Sequence, residues 1–142
     1  MDKKTIKYNL STPSTFKSKL INYSRRCTCF CLLDSNSDNI DNEFDFLFAF
    51  NKKTELLDSE QPFVDLKNII ENSYDWLFGY LTYDLKNSIE NLSSNNVDCQ
   101  SFPRLHFFVP SIVMQIKNND LIILYDAKYS KSDINNLISE IN

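Results

Sequence analysis

One glycine serves a chain of 142 residues, and it lies inside the most apolar ribbon of the sequence. Gly79 interrupts Trp76-Leu77-Phe78-Gly79-Tyr80-Leu81-Thr82-Tyr83, a run of aromatic, aliphatic and β-branched residues that reads as a strand covered on both faces. Alternation puts Trp76, Phe78, Tyr80 and Thr82 on one face and Leu77, Gly79, Leu81 and Tyr83 on the other. Glycine is a poor strand residue. Its presence here marks a place where another backbone approaches closely, so Gly79 is read as structural. Asp84 then reads as the N-cap of a short helix over Leu85 to Asn91.

The flanking sequence predicts an α+β fold, with antiparallel sheet packed against helices. Thr5 to Leu10 alternates as a strand. Thr12 and Pro13 form a cap and a first-turn proline, and Phe16, Leu20 and Tyr23 recur at helical spacing up to Arg25 and Arg26. Cys27 to Leu33 reads as a strand, followed by the turn-forming stretch Asp34 to Asn39. Phe44 to Phe50 and Thr54 to Leu57 read as a hairpin around Asn51-Lys52-Lys53. Pro62 opens a helix whose stripe is Phe63, Leu66, Ile69 and Ile70. Ser93 to Gln100 reads as a loop. Leu105 to Val109, Ile112 to Lys117 and Leu121 to Tyr125 are strands, with a turn at Asn118-Asn119-Asp120. Ser132 is expected to cap a last helix with Ile134, Leu137, Ile138 and Ile141 on one face. No repeat or linker interrupts this order, which fits a single domain over residues 1–142.

Composition narrows the function classes. A net charge of -4 with scattered basic residues lacks the electrostatic footprint of a nucleic-acid binder. No apolar run approaches the roughly 20 residues that span a bilayer, and no leader-like segment follows Met1, so no membrane partner and a cytoplasmic address are expected. Cys27, Cys29 and Cys31 alternate along one expected strand, with Cys99 in the polar loop. That spacing is not a zinc knuckle, and the thiols read as small buried hydrophobes.

The pattern Gly79-Tyr80-Leu81-Thr82-Tyr83-Asp84-Leu85-Lys86, with Glu90 following, resembles the Gly-Tyr-x-x-Tyr-Asp…Glu stretch in the N-terminal domain of component I of anthranilate synthase and aminodeoxychorismate (para-aminobenzoate) synthase. Phe102-Pro103 and Phe107-Phe108-Val109-Pro110 look like that family's Pro-bounded strand. Leu32-Leu33-Asp34-Ser35 is similar to its Leu-Leu-Glu-Ser stretch, with aspartate in place of glutamate. The resemblance runs from about Phe30 to Asp126.

The resemblance implies one part of the orthogonal-sheet sandwich of chorismate-aminating enzymes. It also implies a non-catalytic role, since chorismate, Mg2+ and the catalytic residues belong to the family's C-terminal chorismate-binding domain, whose motifs do not occur here. The partners it implies are that domain of the same polypeptide and a glutamine amidotransferase subunit. Asp34 and the compact Phe44 to Phe50 segment favour the folate branch, which makes 4-amino-4-deoxychorismate, over the tryptophan branch.

No catalytic residue is expected in this chain. Leu33, Asp34 and Ser35 are the candidate effector site, because a carboxylate and a hydroxyl at a strand end accept from an ammonium group. This would make the chain an aromatic amino-acid sensor; the alternative is an ordinary turn. Gly79, Tyr80, Tyr83, Asp84 and Glu90 are read as the family signature, with aromatic packing and capping roles. His106 has no sequence partner that suggests catalysis. If the chain is a scaffold, it should expose apolar surface prone to self-association.

Overall fold

The computed structural model describes residues 3–36, 43–73, 75–90 and 101–142. Cys99 and the loop expected over Ser93 to Gln100 lie outside them. The described elements are β1 (Lys4–Asn9), α1 (Pro13–Ser24), β2 (Phe30–Asp34), β3 (Phe46–Leu57), α2 (Pro62–Ser73), β4 (Phe78–Leu81), a 3-10 helix (Tyr83–Ser88), β5 (Leu105–Lys117), β6 (Asp120–Tyr125) and α3 (Lys131–Ile141). The fold is α+β. Six antiparallel strands form one sheet in the order β1-β6-β5-β3-β2, with β4 pairing to β5. The chain divides into two compact units, residues 1–52 with 110–142, and residues 53–109.

In the first unit the periodic residues pack as their spacing demands. Phe46, Phe48 and Phe50 of β3 and Ile112, Met114 and Ile116 of β5 join Leu121, Ile123 and Tyr125 of β6 on one face. Phe16 and Leu20 of α1 and Ile134 and Ile141 of α3 close over that face. Tyr23, Leu137 and Ile138 pack at the margin. The register Ile6↔Ile123 and Ile112↔Tyr125 keeps the alternating sets together, because a slip of one residue would turn each set outward.

Several boundaries differ from the sequence reading. Asn51 does not begin a hairpin turn. It adopts a left-handed φ of 58° inside β3, which continues as one strand from Phe46 to Leu57, and its amide meets the Tyr129 hydroxyl at 3.5 Å. Asparagine tolerates that conformation better than most residues, so the strand changes course without reversing. Pro110 likewise does not split β5. Pairing with β4 ends at Phe108 and pairing with β6 begins at Ile112, so the missing N–H falls outside both ladders.

The strand at the cysteines starts only at Phe30, which leaves Cys27 and Cys29 ahead of it. Cys29 is buried, and burial raises the Cys27 and Cys31 thiols above the ordinary cysteine range. Thr12 precedes α1 without a capping hydrogen bond from its side chain.

The last helix is capped by Ser130 rather than Ser132. The Asp133 N–H donates to Ser130 Oγ at 3.2 Å, and the Ser130 N–H donates to Asp133 Oδ2 at 2.7 Å. This is a reciprocal capping box. The Ser130 backbone N–H, and after it the Ser130 hydroxyl, hold the Asp133 carboxyl below the usual carboxylate range. A carboxyl depressed on folding stabilises α3 above its unfolded pKa of about 4 and loses that contribution as pH falls through its folded value. Ser130→Ala removes this N-cap and is expected to lower the urea midpoint near neutral pH. Its deficit should shrink on acidification, as read from urea midpoints across an acid series. A deficit that does not change with pH would contradict the capping account.

The second unit is built differently. Trp76 stacks on Phe78 at 5.7 Å, and Phe78 meets its cross-strand partner Phe108 at 6.1 Å. Phe78, Leu85, Leu105 and Phe108 are buried. The stripe of α2 is not. Phe63 and Ile70 are exposed, and among the described residues of that helix only Pro62 is fully buried. The spacing of those residues fits a helix, but the spacing does not itself supply a surface to cover them.

Candidate functional site

The expected effector residues lie where β2 ends. Asp34 is the last residue of that strand and pairs with Phe46, and the Ser35 N–H donates to the Asp45 carbonyl at 3.0 Å. Asn36 follows with a φ of 50°, which turns its own N–H onto Asp34 Oδ1 at 3.1 Å. This is an aspartate turn of the kind its short side chain favours. Leu33 is 45% exposed beside it.

Lys17 brings a second donor from α1. Its Nζ lies 3.5 Å from Asp34 Oδ1 and 5.5 Å from the centroid of the Phe46 ring. The carboxylate at the strand end thus holds an ammonium group, and the ammonium belongs to the same chain. Neighbouring Asp45 is committed elsewhere, to Lys117 Nζ at 3.5 Å and to the Asn118 N–H at 2.6 Å.

The signature residues sit in the second unit, and their setting corrects the expectation of a ribbon buried on both faces. The strand shrinks to Phe78–Leu81, of which only Phe78 is buried. Tyr80 and Leu81 are exposed, and Tyr83 retains 80% of its accessible surface. Apolar sequence is necessary for a doubly covered strand, but coverage requires neighbours on both faces. Asp84 does not cap the turn that follows. Thr82 takes the N-cap position of the 3-10 helix without a capping bond from its side chain, and Asp84 lies exposed in the first turn. Glu90 is exposed, and its N–H donates to the Lys86 carbonyl at 2.8 Å. Lys86 Nζ stands 3.9 Å above the Tyr83 ring.

Gly79 does what its isolation implied. It pairs with Phe107, and a Cβ built on it would lie 2.1 Å from the His106 carbonyl oxygen and 2.6 Å from the Phe107 Cα. Its φ is not in the left-handed region, so the demand is for space and not for backbone freedom.

Spacing did not reveal the polar pairs around this ribbon. His106 Nε2 is 3.0 Å from Glu55 Oε1, and its ring meets Tyr80 edge-on at 5.9 Å. Arg104 grips Asp58 through two bonds, Nε to Oδ2 at 2.6 Å and Nη2 to Oδ1 at 3.0 Å. The hydrogen bonds that Arg104 donates to Asp58 raise its pKa further above the ordinary value. Arg104 lies just ahead of β5 and His106 is on it, and nothing in their spacing pointed to these partners. Glu55 and Asp58 lie about fifty residues away in sequence, and strand pairing is what brings them near.

Two clefts in the first unit, of about 190 and 240 Å3, are lined by residues such as Lys19, Tyr23 and Arg26 in one and Ser11, Thr12 and Thr15 in the other. Both fall below the roughly 300 Å3 at which small-molecule pockets begin. No family model, curated protein or solved structure matches this chain.

Proposed function

We propose that this chain is the N-terminal, non-catalytic domain of a chorismate-aminating component I, of the folate branch. In that role it is a scaffold supporting conversion of chorismate to 4-amino-4-deoxychorismate. The observation that carries the reading is the distribution of exposed apolar side chains in the second unit. Trp76, Leu81, Tyr83, Ile89 and Phe102 lie in and around the signature stretch, and Phe63, Val64 and Ile70 lie on α2. Contiguous exposed apolar surface marks an interaction site, and on this reading these side chains form one. On this reading the covering surface belongs to the chorismate-binding domain, and the present sheet is one layer of the family's orthogonal sandwich.

The catalytic groups and magnesium belong to that other domain, and ammonia comes from a glutamine amidotransferase subunit. This chain contributes a rigid edge, set by the close approach of Gly79 to β5. A cytoplasmic address follows from that assignment. Co-expression with the remainder of the reading frame and an amidotransferase subunit, followed by product identification from chorismate, tests it. The expected product is 4-amino-4-deoxychorismate. Anthranilate would move the chain to the tryptophan branch, and no aminated product would remove it from the family.

A further inference from the structure

We propose that β2 is a self-association edge, and that a second copy of this chain pairs with it antiparallel across a two-fold axis at Leu32. β2 ends the sheet, with β3 as its strand partner. The Ser35 N–H points to the Asp45 carbonyl on the β3 side. Alternation therefore turns the N–H and C=O groups of Phe30, Leu32 and Asp34 the other way, off the sheet. Such an outward row is a template for another strand. The opposite end of the sheet is guarded, because Lys4 and Lys7 stand along β1. β2 carries no lysine or proline, and Phe30 and Leu33 are exposed on its two faces.

The backbone selects the register. Opposite residues of an antiparallel pair exchange bonds only where both turn their polar groups to the shared seam. Full overlap of two such strands sets Leu32 against the second copy's Leu32, Phe30 against its Asp34 and Leu33 against its Cys31. A slip of one residue would set outward groups against inward ones and lose the bonds. Charge favours the same arrangement. Arg25 and Arg26 precede the strand and Asp34 ends it, so antiparallel pairing brings the basic end of one copy toward the acidic end of the other. Ile21, one turn after Lys17 on α1, adds exposed apolar surface on the helix face that meets Asp34. A two-fold contact closes on itself, so the expected assembly is a dimer. A strand of 5 residues is short against the roughly 20–30 residues a side of a standard interface, which sets the expected dissociation constant between about 10 μM and 1 mM. The inference stands on the first unit alone and is independent of the synthase assignment.

Sedimentation velocity of the whole chain, under reducing conditions and over a concentration series reaching about 1 mM, tests this. The parent chain is expected to pass reversibly from monomer to dimer. Leu33→Lys places a cation at the seam and should weaken the dimer about tenfold or more, whereas Ile70→Lys, at an exposed apolar position of α2, should leave it unchanged. Phe30→Lys and Phe30→Glu lose the same contact with Phe48 but set opposite charges against the second copy's Asp34, so the lysine variant should dimerise about fivefold more tightly than the glutamate variant. That pair carries the test if circular dichroism shows Leu33→Lys to be unfolded. A chain that stays monomeric throughout leaves the edge to a strand of a different protein and overturns the proposal. So does a dimer indifferent to Leu33→Lys, or one lost on Ile70→Lys. Equal dimerisation of the two Phe30 variants overturns the register.

Discussion

Gly79→Ala should lower the stability of the chain by about 3 kcal/mol or more, the upper end of overpacking costs, because the atoms in the way are backbone. The added methyl would need to occupy space 2.1 Å from the His106 carbonyl oxygen and 2.6 Å from the Phe107 Cα. Neither atom can rotate aside. Relief requires β4 to move off β5, which breaks the pairing of Phe78 with Phe108 and of Tyr80 with His106. For a chain of this size the loss corresponds to a fall in melting temperature on the order of 10 °C. Trp76 is the sole tryptophan and stacks on Phe78, so its fluorescence reports directly on this ribbon. A Gly79→Ala chain whose urea midpoint stays within the error of the parent's would show that the strands do not approach as described.

The second large effect is expected in the other unit. Phe48 has no exposed surface, stacks on Phe50 at 4.7 Å and leans on Phe30 at 6.1 Å. Phe48→Ala removes a ring from the middle of a close-packed layer and is expected to cost about 3–5 kcal/mol. Ile70→Ala, on the exposed side of α2, should instead stay within about 0.5 kcal/mol, since Ile70 is 58% exposed and little packing is lost. The contrast is read from urea unfolding curves followed by far-ultraviolet circular dichroism. A loss below about 2 kcal/mol for Phe48→Ala, or one of similar size for Ile70→Ala, would contradict the assigned core.

Ile134 and Ile70 show how far a pattern of residues can be trusted. Both lie on helices with a regular apolar stripe, and both stripes predict a buried face. Ile134 is 1% exposed against the sheet, whereas Ile70 faces solvent. Periodicity reports that a helix has an apolar side and carries no information about whether another element lies against it. The same limit applies to the signature ribbon. Its residues are apolar enough for a doubly covered strand, yet the coverage was missing.

At the candidate site the division runs similarly. Asp34 and Ser35 were legible as a strand-end turn, because aspartate and serine form such turns from local geometry. The contact of Lys17 with Asp34 was not legible, since α1 and β2 meet only through tertiary packing. Glu55 with His106 and Asp58 with Arg104 were hidden for the same reason.

Local chemistry, then, was enough to place the three helices and most of the strands, to single out Gly79 as a contact point and to assign the α+β class. These depend on side-chain period, capping and turn preferences within a few residues. Pairings between distant segments, the continuity of β3 through Asn51 and of β5 through Pro110, and the exposure of β4 and α2 emerged only with the folded chain. They depend on long-range register and on which faces meet, and no short window of residues encodes either one.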